Sequence, residues 1–253
     1  MPMQISISNA IGGAAARDSF INNYSIELDG IDAYVNCGTN SSLNFERTDT
    51  FSYSFWVKRN TFGTNHMMLS KMNPSGNRRG MFFNLNTENK VVVMLRTDTS
   101  FTSQRLFWKT IELVNNTNWH HIVFTFDGSS TVGGGKIYID GVAATLDGSS
   151  GGSLSATIQN PAPFLIGAMS TAPLLPADAF MDEVAVFGSE LSASDVSSIY
   201  NGNGAGKPGD LSSFNPLSWW RFEEGSGTTA ADSGSASNTG TLENSATFST
   251  DVP

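Results

Sequence analysis

The stretch Thr50-Phe51-Ser52-Tyr53-Ser54-Phe55-Trp56-Val57-Lys58 sets a large apolar residue at every second position, with Phe51, Tyr53, Phe55 and Val57 alternating against Ser52, Ser54 and Trp56. Successive side chains of a strand point to opposite faces, so the first set lines the buried face of a β-strand. Beyond it, comparable short apolar runs occupy 80–86, 90–96, 104–113, 119–127, 136–140, 163–168 and 180–187. Runs of this length, separated by Gly, Asn, Asp and Ser clusters, predict an all-β sandwich or barrel. Asp-Gly pairs at 29–30, 127–128, 140–141 and 147–148 favour the positive φ that tight hairpins require, so neighbouring strands are expected to be antiparallel. One segment departs from this period: Val196, Ile199 and Tyr200 fall at helical spacing, Ser192 and Asp195 form a capping box, and Asn201-Gly202 follows as a stop. A single short helix is predicted over 192–201.

A chain of 253 residues suits one large core, and a hydrophobic fraction of 39% with 17 Phe, 5 Trp and 5 Tyr supplies the apolar area for it. Lys plus Arg total 14 against 23 Asp plus Glu, a net charge of −9 that repels polyanions and anionic lipid surfaces. Neither nucleic acid nor membrane is an expected partner. The single cysteine, Cys37, excludes an intrachain disulfide and a Cys-based zinc site. Met1-Pro2-Met3-Gln4-Ile5-Ser6 lacks a basic segment and a continuous apolar one, so no secretory signal peptide is expected.

Composition divides the chain into an arm at 1–24, the sandwich at 25–202, a Gly, Pro and Ser linker at 203–216 and a C-terminal segment at 217–253 packed on the sandwich. Within that segment, 225–253 reads as a strand pair lying over the sandwich. The arm carries Ile5, Ile7, Ile11, Phe20 and Ile21, more apolar than a solvating tail needs, and is expected to order against a neighbouring subunit.

Several segments resemble a known family. Leu28-Asp29-Gly30-Ile31-Asp32-Ala33-Tyr34-Val35 is similar to the opening strand of laminin-G-like domains of the concanavalin A-like lectin/glucanase superfamily, and 51–57 to their second strand. Trp119-His120-His121-Ile122-Val123-Phe124-Thr125-Phe126-Asp127-Gly128 with Lys136-Ile137-Tyr138-Ile139-Asp140-Gly141 resembles the central pair. Ile166-Gly167 and Met181-Asp182-Glu183-Val184-Ala185-Val186-Phe187, with the helix to Tyr200, complete the ordered set. The resemblance implies a concanavalin A-like antiparallel β-sandwich of jelly-roll type. Trp219-Trp220-Arg221-Phe222-Glu223-Glu224-Gly225 resembles a segment that precedes the first strand in secreted bacterial members, yet here it comes after the sandwich. That order resembles laminin-G-like proteins of tailed bacteriophage particles. It implies a virion protein that holds host-surface glycans, contacts neighbouring virion subunits and forms a homo-oligomer or part of a larger assembly. A purely structural decoration or fibre component, and a secreted glucan-active enzyme, are the competing readings.

The enzyme reading meets a chemical obstacle. Retaining glucanases hold two carboxyl groups about 5–5.5 Å apart, usually on one strand motif, and Glu27-Leu28-Asp29-Gly30-Ile31-Asp32 lacks the second Glu. No catalytic residue is assigned. Gly148-Ser149-Ser150-Gly151-Gly152 spells a nucleophile elbow without its strand and helix, and Gly202-Asn203-Gly204-Ala205-Gly206 trails a helix instead of opening one, so both read as loops. His120 and His121 must face opposite ways on a strand, one packed and one at the surface, and cannot share a metal. In the resembled family the segments of Asp29, Asp32 and Asp182 lie side by side near one edge, which implies calcium held by Asp29 or Asp32 together with Asp182; the alternative is that they only form the turn and cap a strand. For sugar binding, an aromatic ring stacks on an apolar sugar face. Trp56 is out of phase with the buried set of its strand and Trp108 sits among Arg105 and Lys109, which makes these two the expected carbohydrate-binding residues.

Overall fold

The computed structural model describes residues 20–72, 78–97 and 104–253; the expected arm contact through Ile5, Ile7 and Ile11 lies outside the described residues. The elements are β1 Ser25–Asp29, β2 Tyr34–Asn36, β3 Phe51–Arg59, β4 His66–Met72, β5 Gly80–Leu85, β6 Lys90–Arg96, β7 Arg105–Leu113, β8 His120–Phe126 and β9 Gly135–Ile139. They continue with β10 Val142–Ala143, β11 Ser150–Gly151, β12 Leu165–Ile166, β13 Asp178–Phe187, α1 Ala193–Tyr200, β14 Ser218–Trp220, β15 Thr229–Ala230, β16 Gly240–Glu243 and β17 Thr247–Ser249. One sheet runs β10-β9-β8-β3-β13-β1-β17, with β14 also bonded to β13; the second runs β11-β7-β6-β5-β4-β12-β2-β16-β15. All these pairings are antiparallel. This is the two-sheet sandwich with one short helix that the alternation predicts.

Phe51, Tyr53, Phe55 and Val57 all enter the space between the sheets. Tyr53 stacks on Phe164 with centroids 6.1 Å apart and meets Phe83 edge-on at 5.3 Å, and Phe164 in turn stacks on Trp220 at 5.6 Å. Burying each such ring contributes about 1.5–3 kcal/mol. The helix is fixed by its capping box: Asp195 N–H donates to Ser192 Oγ at 3.2 Å and Ser192 N–H to the Asp195 carboxylate at 2.9 Å. Eight residues are too few to hold a helix alone. Its apolar face therefore packs on the first sheet's outer face, where Val196, Ile199 and Leu211 join Val123, Ala185, Phe187 and Trp219.

Three sequence expectations are corrected. The stretch 28–35, read as one opening strand, is split: β1 belongs to the first sheet and β2 to the second. The chain crosses between them at a turn in which one Asp29 carboxylate oxygen accepts the N–H groups of Ile31, Asp32 and Ala33 at 2.9–3.1 Å, with Gly30 at φ +72°. The 225–253 tail does not lie over the sandwich but extends it, β16 pairing with β2 and β17 with β1. The linker also packs against the sandwich, with Leu211 only 3% exposed.

Candidate functional site

Both tryptophans expected to bind sugar are buried. Trp108 has no exposed surface, and its Nε1–H donates to the Val132 carbonyl at 2.8 Å. Parity on β7 explains this: Arg105, Phe107 and Lys109 share the outer face, so Leu106 and Trp108 must point inward. Trp56 does face outward from the first sheet, but it lies beneath α1, stacked on Tyr200 at 5.6 Å and beside His121 at 5.0 Å, and is 2% exposed. Neither ring can meet a ligand.

The expected calcium ligands do not converge. In the β1–β13 register Asp29 stands opposite Asp178, and Asp182 lies four residues further along β13, about 13 Å away at strand rise. Asp29 is occupied in its turn; burial works against its ionisation, and the three N–H donors outweigh that and hold its carboxyl below the ordinary value. Asp32 accepts from Ser245 Oγ at 3.3 Å on the same turn. Asp182 is fully buried at a bulge in β13, accepting from Asn22 Nδ2 at 3.0 Å and from the Glu183 N–H at 2.8 Å. Burial and the neighbouring Glu183 raise its pKa well above the ordinary range. Among the described residues no group of three or more His, Cys, Asp or Glu is placed to hold a metal ion.

The histidines behave as expected from their alternation. His121 is buried with Nε2 at 2.8 Å from Ser54 Oγ, and burial pushes its pKa down to about 3. His120 faces Asp140, Nδ1 to Oδ2 at 2.8 Å. The Ser54–His121 pair has no exposed surface to offer a substrate, so it packs and does not react. Glu27 of the glucanase near miss is exposed on the outer face of the first sheet beside Phe180.

Among the described residues, a cleft of about 400 Å³ on the outer face of the second sheet has a volume within the usual range for small-molecule sites. Its floor is a patch of β4, β5 and β6. Phe82 stands opposite Met94, and Met72 lies across from Gly80, which in turn faces Arg96. Gly80 is required here: at φ +126°, a Cβ would sit 2.0 Å from the Lys71 carbonyl oxygen. The wall is the segment carrying Met169, Leu174 and Leu175, and Arg78 completes the lining. That wall is held in place. Met67 N–H donates to the Leu175 carbonyl at 2.9 Å, Met169 N–H to the Leu174 carbonyl at 3.0 Å and Ser70 Oγ–H to the Met169 carbonyl at 3.3 Å. Arg78 and Leu175 adopt left-handed backbone conformations, φ 51° and 55°, a strain that clusters at ligand sites. The sequence did carry a signal. In Met81-Phe82-Phe83 and Val91-Val92-Val93-Met94-Leu95 both strand faces are apolar, so the second face has to be covered or to bind something.

Residues 29–197, most of the chain, match the profile of the Laminin_G_3 family of the concanavalin A-like lectin/glucanases superfamily. The chain belongs to that family. Among curated proteins none matches the sequence. Solved structures that share its architecture include two with broad coverage of this chain. One is a Bacteroides ovatus protein named as a candidate carbohydrate binding protein, with a TM-score of 0.62, 13% identity, and 90% of this chain covering 60% of that one. The other is the native heptameric SAP-like pentraxin of Limulus polyphemus, with a TM-score of 0.59, 12% identity, and 90% of this Laminin_G_3 chain covering 94% of that one. At such identities the likeness is one of fold.

Proposed function

We propose that this Laminin_G_3 domain binds carbohydrate without cleaving it, in the cleft on the outer face of the second sheet. The observation that carries the reading is the cleft itself: an open apolar hollow with an aromatic ring, Phe82, and three thioethers on its lining. Such a surface suits the C–H face of a pyranose. Family membership and the candidate carbohydrate binding protein of the same fold support the ligand class. The non-enzymatic half rests on chemistry. Glycoside hydrolysis uses two carboxyl groups across the scissile bond, whereas among the described residues the ionisable side chains lining the cleft are both arginines. The setting proposed for the domain is a virus particle, adhering to host-surface glycans; what supports this is the order of its segments along the chain, with 219–225 following the helix and not preceding the first strand, and its sparing use of cysteine.

The test is a glycan array on the intact chain, then titration of its hits and an assay for new reducing ends. Binding is expected, with Phe82→Ala weakening it at least tenfold, and no reducing ends are expected. Release of reducing ends would overturn the non-enzymatic reading, and absence of all binding would favour the purely structural one.

A further inference from the structure

We infer that the first sheet carries a second carbohydrate-binding surface, a platform of Trp119 and Phe180 that takes an uncharged pyranose; this extends the carbohydrate reading to another surface and does not depend on the cleft. Of the five tryptophans, Trp56, Trp108, Trp219 and Trp220 are at most 5% exposed, and Trp119 alone is half-buried. Strand register places it. On β8, His121 stands opposite Trp56 and His120 opposite Val57, so Trp119, one residue before the strand, comes opposite Lys58 and shares the outward parity of His121. Phe180 on β13 stands beside Lys58, and Glu27 on β1 beside Phe180. These four side chains form one row across the outer face, and none of them is buried. The covering layer stops short of the row. Tyr200, the last residue of α1, lies on Trp56, and the layer's contacts with Val123, Ala185 and Phe187 are on the other side of that tryptophan. Lys58 is two residues beyond Trp56, about 7 Å at strand rise.

The rings are fixed before any ligand arrives. One Asp251 carboxylate oxygen accepts the Trp119 Nε1–H at 3.0 Å and the other pairs with Lys58 Nζ, while Ser25 Oγ–H donates to the Asp251 carbonyl at 2.6 Å. Lys58 Nζ lies 5.7 Å from the Phe180 centroid, and the Phe180 and Trp119 rings are 6.5 Å apart. A surface ordered in advance gives up little freedom on binding. A pyranose lays C–H groups on an aromatic face and turns its hydroxyls to polar neighbours. Here the side chains of Lys58 and Asp251 keep 24% and 36% of their surface, and Glu27 is exposed, so a donor and acceptors border the rings. Charge narrows the class of sugar. Asp251 neutralises Lys58, and Glu27 then leaves the row net negative, which repels an acidic sugar and spares an uncharged one. The platform and the cleft lie on opposite outer faces of the sandwich, so one sugar ring cannot reach both. A platform touches one side of its ring where the cleft adds a wall, which makes it the weaker site of the two.

The experiment is nitrogen-15 NMR on the full chain, in which each indole Nε1–H gives its own signal. Methyl β-glucoside and methyl β-galactoside are titrated, each beside its own uronic acid. At least one neutral glycoside is expected to shift the Trp119 indole signal saturably while the four buried indoles stay in place, and the shift should persist in Phe82→Ala. Its acid should bind at least threefold more weakly. Glu27→Ala, a change at an exposed position, should weaken the neutral sugar at least threefold. In Trp119→Leu, shown to be folded by its melting curve, the Phe180 amide signal should no longer respond. No saturable shift at Trp119, a shift that vanishes in Phe82→Ala, or an acid that binds as tightly as its neutral partner overturns the inference and leaves the cleft to its own test. A Trp119 shift with the methyl signals of Met72, Met94 and Met169 unmoved would support the platform and count against the cleft.

Discussion

On the outer face of the first sheet Trp56, His121 and Ala185 lie beneath α1 and the 203–216 segment; on the outer face of the second, Phe82 and Met94 floor an open cleft. Both faces carry apolar side chains out of phase with the inner core. The difference lies in the path of the chain beyond each sheet. After β13 the polypeptide turns back over the first sheet, and the apolar face of α1 needs that surface as much as the surface needs cover. Among the described residues nothing comparable crosses the second sheet, where the 169–175 segment walls the face without closing it. The same alternation therefore yields a third packed layer on one side and a place for a ligand on the other.

The contrast can be broken most forcefully at the covering layer. Ile199 is 2% exposed between helix and sheet, so Ile199→Ala should cost about 2–5 kcal/mol in urea unfolding while glycan affinity stays within twofold. A loss below about 1 kcal/mol would mean that the covering layer is dispensable. On the open face the pattern reverses. Phe82→Ala should change stability by at most about 1.5 kcal/mol and remove most binding. If it unfolds the protein instead, the two faces are alike.

A smaller effect is expected from pH at the acids below the covering layer. Burial pushes Glu183 up to about 8, against the opposing charge of Arg221 and a hydrogen bond from Trp219 Nε1–H, and it raises Asp182 as well. Glu223 faces the same cluster and adds to the rise. A carboxyl whose folded pKa lies above its unfolded one makes the folded state bind more protons between the two values. For Glu183 the window runs from 4.5 to about 8. Stability should therefore fall as pH rises from 5 to 8, by on the order of a few kcal/mol, and Glu183→Gln should flatten that slope. A wild-type curve already flat across this window would contradict the assignment.

Much of the fold was legible because alternation is local. The Phe51, Tyr53, Phe55 and Val57 set and the capping box of Ser192 and Asp195 each need only their own neighbours to be read. Trp108 was legible too: Arg105 and Lys109 are both an odd number of residues away, which already assigns the indole to the opposite face. What local reading misses is which surface a distant segment covers. Trp56 looked free until α1 was placed over it, and β4, with His66-Met67-Met68-Leu69-Ser70-Lys71-Met72, shows no alternation because all seven residues are buried. The calcium set depended on strand register, and register separates Asp29 from Asp182 by four positions that no spacing in the sequence reveals. The cleft joins β4, β5 and β6 to a segment about a hundred residues further on, so only its floor left a trace, the doubly apolar runs around Phe82 and Met94.

Methionine placement offers the most direct test of a carbohydrate site on the second sheet. Of the nine methionines, Met72, Met94 and Met169 line the cleft, while Met81 and Met181 sit in the core between the sheets. With the methionine methyls labelled with carbon-13, titration by a glycan found on the array should shift the resonances of Met72, Met94 and Met169 in a saturable way and leave Met81 and Met181 in place. Saturable binding that leaves those three methyl signals unmoved would contradict the account.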